Sequence, residues 1–346
     1  MEKEKGRALK IWAIIILFVI IVWTVLYILP RPKNFSGDNP MMKAGELPIL
    51  IAHGGGNKEF PDNTLEAFYN AYSVDERVMM ETDVSLTKDG ILILSHDTTL
   101  DRKTNVTGNI SDWNYSDLIE ERVNFGYTNN TEDGVLVEGS ERALFKNEEG
   151  REVTPLDVEY PDGVTARDSE IFLATTLEEL MIAFPENAIN VEVKQSGELG
   201  EKAAEEALRL IEKYDASGRV VLASFHDEMY SLYREWQKEG KTPEGFMYSP
   251  GIGGVIKFFA LYITGLDIFF FDGMCVFQLP TEEYGINLAD ESLVNTAHRH
   301  NLAVHYWTIN DREEMKKLIE IGADGIMTDY PHRLKEVYNS VELEAK

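Results

Sequence analysis

Short apolar runs that end on ionisable residues constrain the fold of this chain more than any other feature. Pro48–Ala52 runs into His53, Val78–Met80 into Glu81 and Asp83, and Ile91–Leu94 into Ser95, His96 and Asp97. A buried strand favours apolar side chains, so acids and imidazoles gathered at strand ends need a chemical reason. In parallel α/β proteins, and in (β/α)8 barrels above all, chemistry collects at strand C-terminal ends. Between and after these runs come helical patterns, as in Leu65, Phe68 and Tyr72 behind a cap at Asn63 or Thr64. That alternation predicts a parallel α/β architecture.

Further strands are expected at Ala188–Lys194, Val220–Phe225, Glu244–Tyr248, Asp267–Phe271, Leu302–Thr308 and Ile326–Thr328. With the three above they exceed the eight places of a barrel, so at least one lies outside it. Residues 113–167 break the rhythm: they are rich in Asn, Asp, Glu and Gly and read as an insertion, either a lid or surface decoration. Within AINVEVK, Glu192 and Lys194 point to one face by the period of a strand. A salt-bridged pair inside a barrel and a functional pair both fit. Gly54, Gly55 and Gly56 follow His53 as a tight turn or as a loop whose N–H groups approach an anion.

The ordered pieces are His53-Gly54-Gly55, Pro61-Asp62-Asn63-Thr64, Glu81-Thr82-Asp83, Thr87-Lys88-Asp89-Gly90 and His96-Asp97, with a closing YWTIND…IGADGIMTDYP. Together they resemble the glycerophosphodiester phosphodiesterase family. Gly54 stands where the family usually carries an arginine. The resemblance covers about residues 48–118 and 170–335. It implies a TIM (β/α)8 barrel of the phospholipase-C-like phosphodiesterase type with a small insertion. It also implies metal-dependent hydrolysis of glycerophosphodiesters to glycerol 3-phosphate and an alcohol.

By the same resemblance His53 and His96 are the acid–base pair, and Glu81, Asp83 and Glu192 hold one divalent cation. Lys194, Gly54 and Gly55 would meet the phosphate, and Trp307 would wall the glycerol. An all-oxygen ligand set favours Mg²⁺ or Ca²⁺ over Zn²⁺. From the residues alone, the two histidines fit either metal ligation or acid–base work. At Gly54, Lys58 or Arg102 could supply the missing positive charge. The alternative substrates are a lysophospholipid and a glycerophosphate polymer of the envelope; a barrel that binds without turnover is the remaining alternative.

Ile11 to Leu29 is a run of 19 residues without a charge, close to the ~20 needed to cross a bilayer as a helix. Lys3, Lys5, Arg7 and Lys10 precede it, against Arg31 and Lys33 after it. This bias places residues 1–10 in the cytoplasm and the barrel, 47–340, outside the plasma membrane; a cleaved signal peptide is the competing reading. Residues 30–46 read as a tether. A formal net charge of −27 argues against nucleic acid as a partner. The single Cys275 excludes an intramolecular disulfide and reads as a buried thiol, and His298 and His300 read as surface residues.

Overall fold

A computed structural model describes residues 2–344. Eight parallel strands follow one another in chain order round a nearly closed barrel: β1 (Ile49–His53), β2 (Met79–Leu86), β4 (Ile189–Val193), β5 (Val220–Ala223), β6 (Met247–Tyr248), β7 (Val276–Leu279), β8 (Ala303–Tyr306) and β9 (Gly325–Thr328), which pairs back onto β1. The β6–β7 seam has no ladder, but the Cys275 N–H donates to Tyr248 O at 3.1 Å across it. The ninth strand of the sheet, β3 (Leu92–Leu94), lies outside the barrel and runs antiparallel to the far half of β2, Val84 facing Leu94 and Leu86 facing Leu92. It is the surplus strand that the sequence required.

One strand expectation is overturned. Asp267–Phe271 is no strand: Asp267–Phe269 forms a 3-10 turn, with Asp267 buried and Phe269 and Phe271 exposed. The barrel place belongs to Val276–Leu279. Its Gln278 points into the barrel, where its Nε2 donates to Asn190 Oδ1 at 2.8 Å, and a polar residue at that position hid the strand's pattern.

The barrel interior is filled by side chains, not open. Ile51, Met79, Val221, Met247, Ala303 and Met327 form one apolar layer. His305 also points inward; it is fully buried and shares a hydrogen bond with Met41 O at 3.2 Å. The outer faces of the strands pack on the surrounding helices through residues such as Leu50, Phe68, Leu180 and Leu210. Cys275 is buried and unpaired.

The supposed tether is part of this packing. Phe35 and Met41 are buried in the same cluster as Ile51 and Met79. Asn39 Nδ2 donates to Cys275 O at 2.7 Å, and the Lys43 N–H donates to Asp324 Oδ1 at 2.7 Å. These residues close the N-terminal end of the barrel, because a mouth lined by apolar side chains must be covered. Arg31 is likewise no solvated flanking charge: its guanidinium is buried on Asp267, bonding both carboxylate oxygens. His300 is fully buried on Asp267 and His298 pairs with Asp324, so neither is the surface residue expected.

Helix α1 (Glu2–Ile28) contains one stretch, Lys10–Ile28, long and apolar enough to cross a membrane, and none of it is buried. The side chains of Lys3 and Lys5, part of the topology argument, lie outside the described residues. In the insertion, Leu118, Val123 and Phe125 join the main core, while Glu148 reaches Lys58 O through its N–H and Arg333 through its carboxylate.

Candidate active site

Strand register brings the carboxylates together. His53 faces Glu81 across β1–β2, and Asp83 faces Glu192 across β2–β4. With Glu81 and Asp83 two residues apart on one strand, all three acids share the barrel's interior face. One oxygen from each of Glu81, Asp83 and Glu192 falls within 4.8 Å of the others. Glu81 and Asp83 are each 2 % exposed, so the acids meet with little water to screen them.

Burial, then repulsion from Asp83, pushes the Glu81 carboxyl up to about 8. The same two causes raise Glu192, against the pull of Lys194. Such a cluster holds protons until a cation offsets its charge. The donor set is all oxygen, buried and convergent, and so fits a hard divalent ion.

Lys194 lies over the cluster, its Nζ 2.9 Å from Glu192 Oε1 and 3.5 Å from Asp83 Oδ1. Burial works against its charge, but Asp83 and Glu192 outweigh that and raise it. His53 sits at the end of β1, with Nδ1 2.7 Å from Asp329 Oδ1 and Nε2 4.0 Å from Glu81 Oε2. Burial alone would lower its pKa; the Asp329 hydrogen bond and the charge of Glu81 prevail and bring it to about 9. His96 is half exposed at the rim, bonded through Nδ1 to Asp97 at 3.1 Å, and that bond raises it. Asp97 is in turn held by Arg102.

Three residues that hold the site had no part in it assigned from sequence. Asp329 follows β9 directly, an ionisable residue at a strand end like His53 on β1, and that position was the available signal. Asn310 fixes Asp329 by donating from Nδ2 to Oδ2 at 2.8 Å. Asn63 does not cap the helix Leu65–Val74; Thr64 does, accepting from the Ala67 N–H. Asn63 instead donates to Asp83 Oδ2 at 3.0 Å and accepts the Asp83 N–H at 3.1 Å, from a backbone at φ 60°.

Of the two readings of the glycine loop, its hydrogen bonds favour the tight turn. The Gly54 N–H donates to Glu81 Oε2 at 2.9 Å, Gly55 N–H to Ala52 O and Gly56 N–H to His53 O. Glycine is needed here for close approach: a Cβ at Gly55 would come within 2.7 Å of Ala67 Cβ. Gly54 therefore orients an acid through its backbone, and neither Gly54 nor Gly55 offers a free donor. Arg102 contacts Asp62 as well as Asp97, and Asp62 Cβ lies 3.0 Å from where a Gly54 Cβ would be. Trp307 is half-buried at the end of β8 and meets the exposed Phe225 edge-on at 5.5 Å. Phe225 also lies 5.7 Å from Lys194 Nζ.

The profile of the glycerophosphoryl diester phosphodiesterase family matches residues 53–249 and 274–333, and so includes every one of these side chains. The chain belongs to this family. Its phosphodiesterase relatives include lysophospholipase D GDPD1 of Rattus norvegicus, 25 % identical, with 84 % of this chain and 86 % of the relative covered. A glycerophosphodiester phosphodiesterase of Bacillus altitudinis is also 25 % identical, over 83 % of this chain and 97 % of its own. Among solved structures, an Oleispira antarctica phosphodiesterase in complex with the product sn-glycerol-3-phosphate superposes with a TM-score of 0.58. It is 19 % identical, and 85 % of this chain and 97 % of that one are covered. Glycerophosphodiester phosphodiesterase of Thermotoga maritima gives 0.54 at 23 % identity, over 86 % and 98 %. This is the shared phosphodiesterase barrel.

Proposed function

We propose that this chain hydrolyses glycerophosphodiesters to glycerol 3-phosphate and an alcohol. His53 and His96 act as the acid–base pair, Glu81, Asp83 and Glu192 hold one Mg²⁺ or Ca²⁺, and Lys194 binds the phosphate. The observation that carries this reading is the convergence of three carboxylates, two buried and one partly buried, beside a histidine fixed by a fourth acid. When bound, the cation offsets phosphoryl charge that develops as the P–O bond breaks.

Asp329 holds His53 Nδ1 and leaves Nε2 turned to the site, so Nε2 is the atom that moves a proton. Asp97 plays the corresponding part for His96. One imidazole takes the proton of the attacking glycerol hydroxyl and the other supplies a proton to the departing alkoxide. The resulting cyclic phosphate is opened by water. Lys194 stabilises the phosphate in place of the arginine absent at Gly54, and Trp307 forms the apolar wall for glycerol.

A second reading, cleavage of a lysophospholipid, is favoured by Phe225, a large apolar ring 47 % exposed at the site's rim. The relative named lysophospholipase D is consistent with it. In either case α1 serves as a single-pass anchor in the plasma membrane, with the N-terminus cytoplasmic and the barrel outside.

The test is release by the full chain, since Arg31 belongs to the barrel's packing, of glycerol 3-phosphate from the deacylated diesters and of lysophosphatidic acid from the lysolipid. Glycerophosphocholine, glycerophosphoethanolamine and lysophosphatidylcholine would each be assayed with EDTA, Mg²⁺ or Ca²⁺, beside His53→Ala. Metal-dependent release from a diester, lost in the variant, is the expected result. Release of a different phosphate product, or turnover indifferent to EDTA, overturns it.

A further inference from the structure

The helix Ile252–Thr264 stands apart from the other described α-helices packed round the barrel. Its sequence, IGGVIKFFALYIT, holds one lysine and no acid, in a chain of formal net charge −27. Only Gly254 and Phe258 along it are buried. Ile252, Ile256 and Ile263 are 55, 62 and 65 % exposed, and helical spacing sets them on one side. Phe269 and Phe271 extend the surface at 53 and 61 %. The acids that follow are withdrawn from it: Asp267 and Asp272 have side chains 3 and 0 % exposed, held by Arg31 and Arg234.

Each end of this helix has a defined neighbour. At its C-terminal end, Trp23 Nε1 of α1 donates to Thr264 O at 3.1 Å, and a Cβ at Gly265 would come within 2.9 Å of the Trp23 ring. Before Trp23, α1 leaves the barrel as a wholly unburied apolar span. At its N-terminal end, the Gly253 N–H donates to Asp227 Oδ1 at 3.0 Å, two residues beyond Phe225 at the rim of the site. The apolar surface thus begins where the span meets the barrel and ends beside the active-site mouth.

We propose that the helix Ile252–Thr264, with Phe269 and Phe271, lies in the interfacial layer of the bilayer that α1 enters, and so presents the mouth to membrane-borne substrate. This rests on the reading of α1 as a membrane anchor. Exposed apolar area continuous with a span is stabilised by immersion in the headgroup–acyl boundary. A helix without carboxylates avoids repulsion by anionic headgroups. A lipid held by its acyl chain in that layer would present its phosphodiester beside Phe225 and Trp307.

The test is electron paramagnetic resonance on the full chain in nanodiscs of phosphatidylcholine and phosphatidylglycerol. Nitroxides would be attached at Ile256→Cys or Ile263→Cys, with Ile16→Cys in α1 and Glu205→Cys on an outer helix as references. Cys275 is buried and stays in place. The ratio of oxygen to nickel-chelate accessibility at 256 and 263 is expected to exceed that at 205 by about fivefold or more. A ratio equal to that at 205, with 16 in lipid, overturns the proposal and leaves the anchor standing. Water-like values at 16 as well overturn both. Dipolar broadening between labels at 256 would assign the face to a second copy of the chain instead, and also overturns it.

Discussion

His53 and Asp329 are 276 residues apart in sequence, yet Nδ1 of one lies 2.7 Å from Oδ1 of the other. The pairing of β1 with β9 closes the barrel and sets the two strand ends side by side. Asp329 therefore decides which nitrogen of His53 faces the site. Asp329→Ala is expected to lower kcat by about 100-fold, the lower range of a general acid–base contribution. Steady-state kinetics on glycerophosphocholine would show the loss in kcat with KM little changed, and Asp329→Asn would keep the contact but still lose the charge.

Glu81 predicts opposite effects on stability with and without metal. Its carboxyl is pushed up to about 8, first by burial and then by Asp83. Glu81→Gln removes that repulsion, so the metal-free variant should unfold at the same or a higher temperature than the parent. Mg²⁺ or Ca²⁺ at 100 times its Kd should stabilise the parent by about 2.7 kcal/mol and the variant by much less. Thermal unfolding with EDTA and across a metal titration checks both signs.

The ion pair of Arg31 and Asp267 couples the segment after α1 to the barrel, with side chains 1 and 3 % exposed. Arg31→Met leaves Asp267 buried with His300 at 3.1 Å and the half-exposed Arg299 at 3.9 Å. A loss of about 3 kcal/mol is expected, typical of breaking a buried pair by removing one member. Urea unfolding of the full chain in detergent would measure it.

Acid should weaken the fold through two histidines outside the active site. Burial holds His300 and His305 below the ordinary 6.5. Between 6.5 and those lower values the unfolded chain binds more protons than the folded one. Their contribution to stability is thus complete above 6.5 and is lost as pH falls through the folded values. His305→Gln keeps a donor for Met41 O and removes one titrating group. Its urea midpoint should fall less than the parent's between about pH 7 and about pH 5.5.

Much of this protein was legible before any coordinates. The alternation of short apolar runs with helical periodicity determined a parallel α/β architecture, because that periodicity is local to each segment, and the family resemblance of the motifs pointed to the barrel. His53, Glu81, Asp83, His96, Glu192 and Lys194 were visible as ionisable residues in or beside apolar runs, where an apolar core gives them no place, although Glu81 and Asp83 lie within β2 and not at its end. Tertiary structure alone decided what each of these touches. The partnership of His53 with Asp329, the use of the Gly54 N–H by Glu81 and the hold of Asn63 on Asp83 all join distant segments. So does the burial of Arg31 and Met41 in what looked like a tether, and the polar Gln278 made sense in a strand only beside Asn190. Composition reports a residue's own preference for water or core. Which hydrogen bond or charge meets that preference depends on strand register and barrel closure, and both are properties of the folded chain as a whole.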